Sequence, residues 1–129
     1  MGKVECFEDL QVWQKARILC HEIYHVSSRR EFAKDFGLRD QVRRASVSIL
    51  SNIAEGFERD GSKEFIQFLS LAKGSAGEFR AQLYVASDQS YLTEKEFDKL
   101  KGQVQEVIRL TNELMKYLRN SNLKGNKFK

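Results

Sequence analysis

The chain has 129 residues, of which 41% are hydrophobic, and carries a formal net charge of +4 at pH 7. This length is typical of one domain that buries its own core, and no apolar run reaches the roughly 18 residues that a membrane span needs. Two cysteines do not form a disulfide framework, and the N-terminus shows no signal-peptide pattern, so we expect a cytoplasmic protein without membrane association. So mild a net charge does not by itself identify a nucleic-acid binder.

The first predicted helix runs from about Glu8 to about Ser27. Its apolar residues recur at heptad steps, at Val12, Ala16, Leu19, Ile23 and Val26. Three further residues widen this stripe on one side: Trp13, Cys20 and Tyr24. A charged connection follows, in which Ser28 and Glu31 have the spacing of a capping box and Gly37 acts as a breaker.

The second predicted helix, from about Leu38 to Glu58, has two apolar stripes. The first consists of Leu38, Val42, Ala45, Ile49 and Ile53, and the second, roughly opposite, of Val47, Leu50, Ala54 and Phe57. A helix needs one stripe to join its own core. The second stripe therefore predicts an oligomer interface with another copy of the chain.

Two more helices follow after turns. Gly61 permits the first turn, and Ser62 is predicted to cap the third helix, whose core residues are Phe65, Leu69, Ala72, Ala76, Phe79, Leu83 and Ala86. Gly74 and Gly77 in this helix indicate a close approach of a neighbouring helix. Thr93 and Glu96 form a second capping box, which opens a fourth helix with the seam Phe97, Leu100, Val104, Val107, Thr111, Leu114 and Leu118.

Four amphipathic helices with mostly short links predict an all-α fold, an antiparallel up-down four-helix bundle. We assign residues 1–120 to this single domain. Residues 121–129 are predicted to be a basic, disordered tail, since they lack apolar periodicity.

His21, Glu22 and His25 match the HExxH signature of zinc metalloproteases. Residues four apart share a helix face, so two imidazoles can converge on one zinc while the glutamate activates its water. His21 and His25 are the only histidines of the chain, and on a helical wheel both face away from the predicted core. We interpret them as a solvated or interface pair, and we predict no catalytic residues, no metal and no cofactor; a metal bound by His21 and His25 is the weaker alternative.

Six basic residues cluster within sixteen positions: Arg29, Arg30, Lys34, Arg39, Arg43 and Arg44. One interpretation is a solvated face with local ion pairs, such as Asp40 with Arg43 or Arg44. The other is a nucleic-acid-binding surface, to which oligomerisation would add charge by repeating the cluster around an axis. The phenylalanines Phe65, Phe68, Phe79 and Phe97 have core spacing and are not interleaved with arginine on a surface platform.

Ordered motifs across most of the chain, from Phe7 to about Leu118, resemble the bacterial four helix bundle protein family, also called 23S rRNA intervening-sequence proteins. The resemblance lies in residues 7–16, Gly37-Leu38, 41–45, 48–57, Glu64-Phe65, Phe68-Leu69, 72–75, Glu78-Phe79 and Gln82-Leu83. The family often has proline at the position of Leu50, which predicts an unkinked second helix here, and glycine at the position of Ser90.

The resemblance implies an up-down bundle and a ring-shaped homo-oligomer, a pentamer. It also implies a similarity to the accessory variability proteins of diversity-generating retroelements, which are linked to binding reverse transcriptase and nucleic acid. From the residues and the resemblance together we expect a non-enzymatic, self-assembling bundle that offers a basic surface to RNA or DNA. The alternatives are a scaffold for a protein partner without nucleic acid, and a metal-dependent hydrolase built on residues 21–25.

Overall fold

The computed structural model describes residues 3–123, and within that range the chain is helical with no strand. A 3-10 turn at Phe7–Asp9 precedes five helices: α1 (Gln11–Ser27), the short α2 (Arg30–Lys34), α3 (Phe36–Glu58), α4 (Ser62–Asp88) and α5 (Glu94–Leu123). None of the described helices is both long enough and apolar enough to cross a membrane.

The four long helices form the predicted antiparallel bundle. Around it, α3 packs between α1 and α4, and α5 closes the ring by packing on both α4 and α1. The hydroxyls of Ser48 on α3 and Ser75 on α4 lie 2.8 Å apart, and Gln41 faces Gln82 one heptad further along the same pair of helices. Residue numbers that rise on one helix while they fall on the other require an antiparallel pair.

The predicted heptad seams form the core. The five apolar residues of the α1 seam and all seven of the α4 seam are buried, as are Val42, Ala45, Ile49 and Ile53 on α3. Regular spacing of three and four residues keeps one helix face inward over many turns, which is why these positions were predictable. Tyr24 is an exception, because it leaves the α1 stripe and is 42% exposed.

The second stripe of α3 flanks the core instead of lying opposite to it. Leu50 and Phe57 are partly buried and pack against the core cluster, and Ala54 is partly buried as well. Val47 alone of the four is exposed, at 40%. Leu50 and Phe57 lie beside the core residues, and the ring of Phe57 packs edge-on against that of Phe65 on α4, with the ring centres 5.9 Å apart, so their own subunit covers much of the stripe. Its role as an oligomer interface stays a prediction.

Asp35 explains why α3 begins two residues earlier than predicted. Its Oδ1 accepts a hydrogen bond from the backbone N–H of Leu38 at 3.1 Å, which caps the helix, and its Oδ2 accepts one from the Tyr91 hydroxyl at 2.9 Å. The predicted capping box of Ser28 and Glu31 does not form, because the Ser28 hydroxyl donates to the carbonyl oxygen of His25 at 2.7 Å. The chain between α1 and α3 instead folds as the short helix α2.

Two turns depend on a left-handed backbone. Gly61 has φ of 100° and is itself the N-cap of α4, so the predicted cap Ser62 is the first helical residue. Ser90 has φ of 63° just after α4, where the N–H of Ser90 bonds the carbonyl of Ser87 and the N–H of Tyr91 bonds that of Ala86. This pair of bonds is a Schellman motif, whose left-handed position usually holds glycine.

The close approach between helices occurs at Gly56, not at the two glycines of α4. A Cβ on Gly56 would lie 2.6 Å from the Cβ of Phe68, so α3 and α4 touch backbone to side chain at this point. A Cβ on Gly74 or Gly77 would meet nothing within 4 Å of the described chain. The prediction that these two glycines admit a neighbouring helix is therefore wrong within the subunit.

The capping box that opens α5 is present as predicted. The Glu96 N–H donates to Thr93 Oγ1 at 3.1 Å, and the Thr93 N–H donates to Glu96 Oε1 at 2.9 Å. At its other end α5 continues to Leu123, so residues 121–123, assigned to the tail from the sequence, are helical. The remainder of the predicted tail, residues 124–129, lies outside the described residues.

Candidate nucleic-acid interface

The six basic residues predicted as a nucleic-acid surface lie at one end of the bundle. Arg29 is in the link between α1 and α2, Arg30 and Lys34 begin and end α2, and the other three lie on the first turns of α3. Arg29 and Arg30 line a cavity of about 660 Å³ together with Tyr91 and Glu96. The fold therefore collects the cluster where α1, α2 and α3 meet.

Three of the six basic side chains have carboxylate partners. Arg29 pairs with Glu96 at 2.6 Å, Lys34 with Glu31 at 3.6 Å, and Arg39 with Asp40 at 3.1 Å. The predicted pairing of Asp40 with Arg43 or Arg44 is wrong: Asp40 accepts from Arg39, its neighbour in the chain. Half of the cluster is thus neutralised locally.

The ion pair with Arg29 helps to lower the pKa of the Glu96 carboxyl group. Partial burial raises the pKa of Glu96, but hydrogen bonds from the backbone N–H of Thr93 and from Arg29 outweigh it, so the pKa lies below its ordinary value. Glu96 therefore both caps α5 and fixes Arg29 at the edge of the cavity.

Arg39 and Arg43, which are one turn apart on α3, each lie over an aromatic ring. The Arg39 guanidinium is 4.8 Å from the ring centre of Phe36, and that of Arg43 is 4.7 Å from the ring centre of Tyr24. Both distances are within the range of cation–π attraction, which contributes about 0.5–1 kcal/mol at an exposed site. The two arginines are ordered by these rings.

Hydrogen bonds also hold these two guanidinium groups. Arg43 Nε donates to Ser27 Oγ at 2.8 Å, and its Nη2 donates to the carbonyl oxygen of Tyr24 at 3.4 Å. Arg39 Nη1 donates to the carbonyl oxygen of Ala33 at 3.1 Å. Each guanidinium therefore keeps a defined plane, and only part of its donor set is left for a ligand.

Arg30 and Arg44 differ from the other four basic residues. Both are exposed, and neither has a carboxylate within ion-pair distance in residues 3–123. Arg44 lines a shallow groove beside Tyr24, Arg43 and Val47. Arg43 likewise has no carboxylate partner in residues 3–123, but hydrogen bonds hold its guanidinium group, so Arg30 and Arg44 are the exposed, unneutralised charges of the cluster.

The sequence analysis missed the aromatic part of this surface. Tyr24 was assigned to the α1 stripe, and Phe36 was placed in a charged connection before the second helix, yet Phe36 is 63% exposed. The signal was present: Phe36, Arg39 and Arg43 follow at steps of three and four along one side of α3. Tyr24 has no such signal, since its place beside Arg43 depends on how α1 packs on α3.

The HExxH residues do not converge on a site. His21 and His25 are both exposed, and Glu22 pairs with Lys99 of α5 at 3.4 Å. Among the described residues no three histidine, cysteine, aspartate or glutamate side chains are grouped so that they could hold a metal ion. A zinc on this pair would find no third protein ligand in that part of the chain.

The chain resembles known proteins both in its sequence pattern and in its structure. The sequence pattern of the 23S rRNA-intervening sequence protein family matches residues 8–113. A solved protein of unknown function from the S23 ribosomal protein family of Bacteroides thetaiotaomicron is similar in structure, with a TM-score of 0.75 and 23% sequence identity over 81% of this chain and 98% of that one. That likeness supports the bundle fold.

No curated protein matches the chain. The family pattern nevertheless covers the connected bundle from the 3-10 turn to the middle of α5, including the motifs quoted above from α1, α3 and α4. The chain belongs to the 23S rRNA-intervening sequence protein family.

Proposed function

We propose that this chain is a non-catalytic, self-associating bundle that binds RNA or DNA through the basic surface at the start of α3. The observation that carries the proposal is the arrangement of arginines on the first turns of α3: Arg39 and Arg43 fixed on aromatic rings, and Arg44 exposed beside them without an acidic partner among the described residues. Phosphate backbones bind such clusters by releasing counterions.

An assembly of several copies would offer more positive charge than one subunit does. A single copy carries a net charge of only +4, and three of its six clustered basic residues are already paired. In a ring each copy would add its own Arg30 and Arg44. We propose a pentamer, in line with the family resemblance, with Val47, Leu50, Ala54 and Phe57 at the contact between copies.

A scaffold for a protein partner is the second candidate function. The outer face of α4 supports it, because Leu71 and Val85 are both about half exposed there. Between them the helix surface has only small side chains at Gly74, Gly77 and Ala81. A partner helix could pack closely against such a face. This candidate needs no nucleic acid, so the titration below separates the two.

The test is a titration of fluorescently labelled RNA and DNA, read by anisotropy, at 50 mM and 200 mM salt. We expect binding that weakens steeply between these concentrations, and we expect Arg44→Gln to weaken it and to reduce the slope of log affinity against log salt by about 0.7–0.9. Arg119→Gln is the matched control, since Arg119 is exposed on α5 toward the other end of the bundle. Absence of binding at 50 mM salt, or binding indifferent to salt, would leave the scaffold as the remaining function.

A further inference from the structure

Two pairs of a ring and a guanidinium group, Phe36 with Arg39 and Tyr24 with Arg43, form a strip on the bundle surface, since the two arginines are one turn apart on α3. Arg39 lies over Phe36 and Arg43 over Tyr24, at 4.8 Å and 4.7 Å from the ring centres. Phe36 and Tyr24 are among the eight large hydrophobic side chains that the described chain leaves exposed. The strip thus places two flat apolar surfaces next to two flat cations.

The strip is rigid as well as exposed. Arg43 donates to Ser27 Oγ and to the carbonyl oxygen of Tyr24, and Arg39 donates to the carbonyl oxygen of Ala33 and to Asp40. Long side chains on a surface usually lose rotamer entropy when they bind, and these two have lost it already. Such order is not needed to neutralise phosphates, which mobile lysines do equally well.

Planar, ordered groups fit a planar ligand. Unpaired bases stack on aromatic rings and on arginine planes, whereas bases in a duplex are already stacked on each other and present only their edges and phosphates. From Phe36 to Arg43 the strip is about 10 Å long at the rise of an α-helix, the length of about three nucleotides. Arg44 lies beside it in a groove that it shares with Tyr24, Val47 and Asp40, whose carboxylate is paired with Arg39, and from there Arg44 can contact a phosphate.

We propose that this strip is a stacking platform for unpaired nucleotides, so that the chain prefers single-stranded RNA or DNA to duplex. The proposal rests on the proposed nucleic-acid binding and adds the class of ligand. It assigns Phe36 and Tyr24 the role of stacking surfaces and Arg44 that of a phosphate contact. Arg39 and Arg43, which lie over the two rings, hold them in place.

The experiment compares a labelled 20-nucleotide single strand with the same sequence in a duplex, at 50 mM salt. Phe36→Leu and Tyr24→Leu keep an apolar side chain but remove the ring, and Tyr84→Leu is the matched control, because Tyr84 is an equally exposed tyrosine beside Lys101 on another face. Wild type should bind the single strand about tenfold more tightly than the duplex. Each strip variant should lose about tenfold in single-strand affinity, and neither it nor the control should change duplex affinity.

Thermal melting of each variant shows whether its fold is intact. Equal affinity for single strand and duplex, with no effect of Phe36→Leu or Tyr24→Leu, overturns the stacking platform. If Arg44→Gln still weakens binding in that case, the proposed nucleic-acid function stands without it. If neither nucleic acid binds at 50 mM salt, both proposals fail together.

Discussion

Gly56 is the one glycine of the described chain whose neighbours leave no room for a Cβ. An added Cβ would lie 2.6 Å from the Cβ of Phe68 and 3.0 Å from Cδ1 of Phe65, both on α4. Phe65 is fully buried and cannot move aside without disturbing the core. We expect Gly56→Ala to lower the free energy of unfolding by about 1–3 kcal/mol, measured by chemical denaturation.

Gly102→Ala is the matched control for that prediction. A Cβ on Gly102 would meet nothing within 4 Å in the described chain, and alanine is favoured over glycine in a helix by up to about 1 kcal/mol. The control should therefore stabilise the protein slightly. If the two alanines changed stability in the same direction by the same amount, the close approach of α3 and α4 at Gly56 would be refuted.

Single residues divide into those that the sequence could predict and those that it could not. The seam residues follow from periodicity alone, and Ser90 could have been found, since a family position often occupied by glycine indicates the left-handed backbone seen there. Gly56 could not be found, because its need for a missing Cβ arises from the way α4 crosses α3. The same holds for Tyr24, which the packing of α1 brings under Arg43.

The start of α5 combines a cap with an ion pair, and this makes its stability depend on pH. The pKa of Glu96 is lowered in the folded state, so its ionised form stabilises the fold fully above its ordinary pKa of about 4.3 and loses that effect as the pH falls through the lower folded value. Glutamine keeps the capping acceptor but not the charge that faces Arg29. We expect Glu96→Gln to cost about 0.5 kcal/mol at pH 7 and the cost to vanish as the pH falls well below 4.

A double-mutant cycle with Arg29→Gln isolates the ion pair in that prediction. The coupling between the two substitutions, measured by denaturation at pH 7 and at pH 3, should be smaller at pH 3, because protonation of Glu96 removes the charge that faces Arg29. A coupling of equal size at both values would mean that the carboxylate of Glu96 does not carry the interaction, and that the contact with Arg29 does not depend on charge.

At the scale of helices, prediction succeeded where the signal was local. The four long helices, the capping box of Thr93 and Glu96 and the unbroken course of α3 through Leu50 are all present. Helix ends were less accurate: the cap of α3 is Asp35, directly before the helix, where the sequence analysis placed the boundary at Gly37, and Ser28 turns back to His25. A capping-box spacing indicates which bonds are possible, and the surrounding chain decides which of them form.

On the scale of the whole molecule, the first and second halves of α3 carry different kinds of surface residue. Residues 36–44 carry the arginines and exposed Phe36, and residues 47–57 carry Val47 and the partly buried stripe. The sequence analysis named the charged residues of the candidate site, but several of their contacts come from other helices: Tyr24 from α1, Ala33 from α2 and Glu96 from α5. If copies associate through the second half, the first half stays at the edge of the contact and is repeated around the axis.

Assembly through the second half of α3 predicts a dissociating variant and an informative control. Val47 is the member of the stripe to change, because aspartate at Leu50 or Phe57 would also damage the core against which they pack. Wild type should have a mass well above the 15.0 kDa of one chain by light scattering at micromolar concentration, near 75 kDa for five copies, and Val47→Asp should return it to about 15 kDa. Leu71→Asp changes a more exposed aliphatic residue on α4 and should leave the mass unchanged. Dissociation by Leu71→Asp alone would place the contact on α4, and a wild-type mass of 15 kDa would show that the face of α3 does not join copies, so that any nucleic acid would have to bind the charge of one subunit.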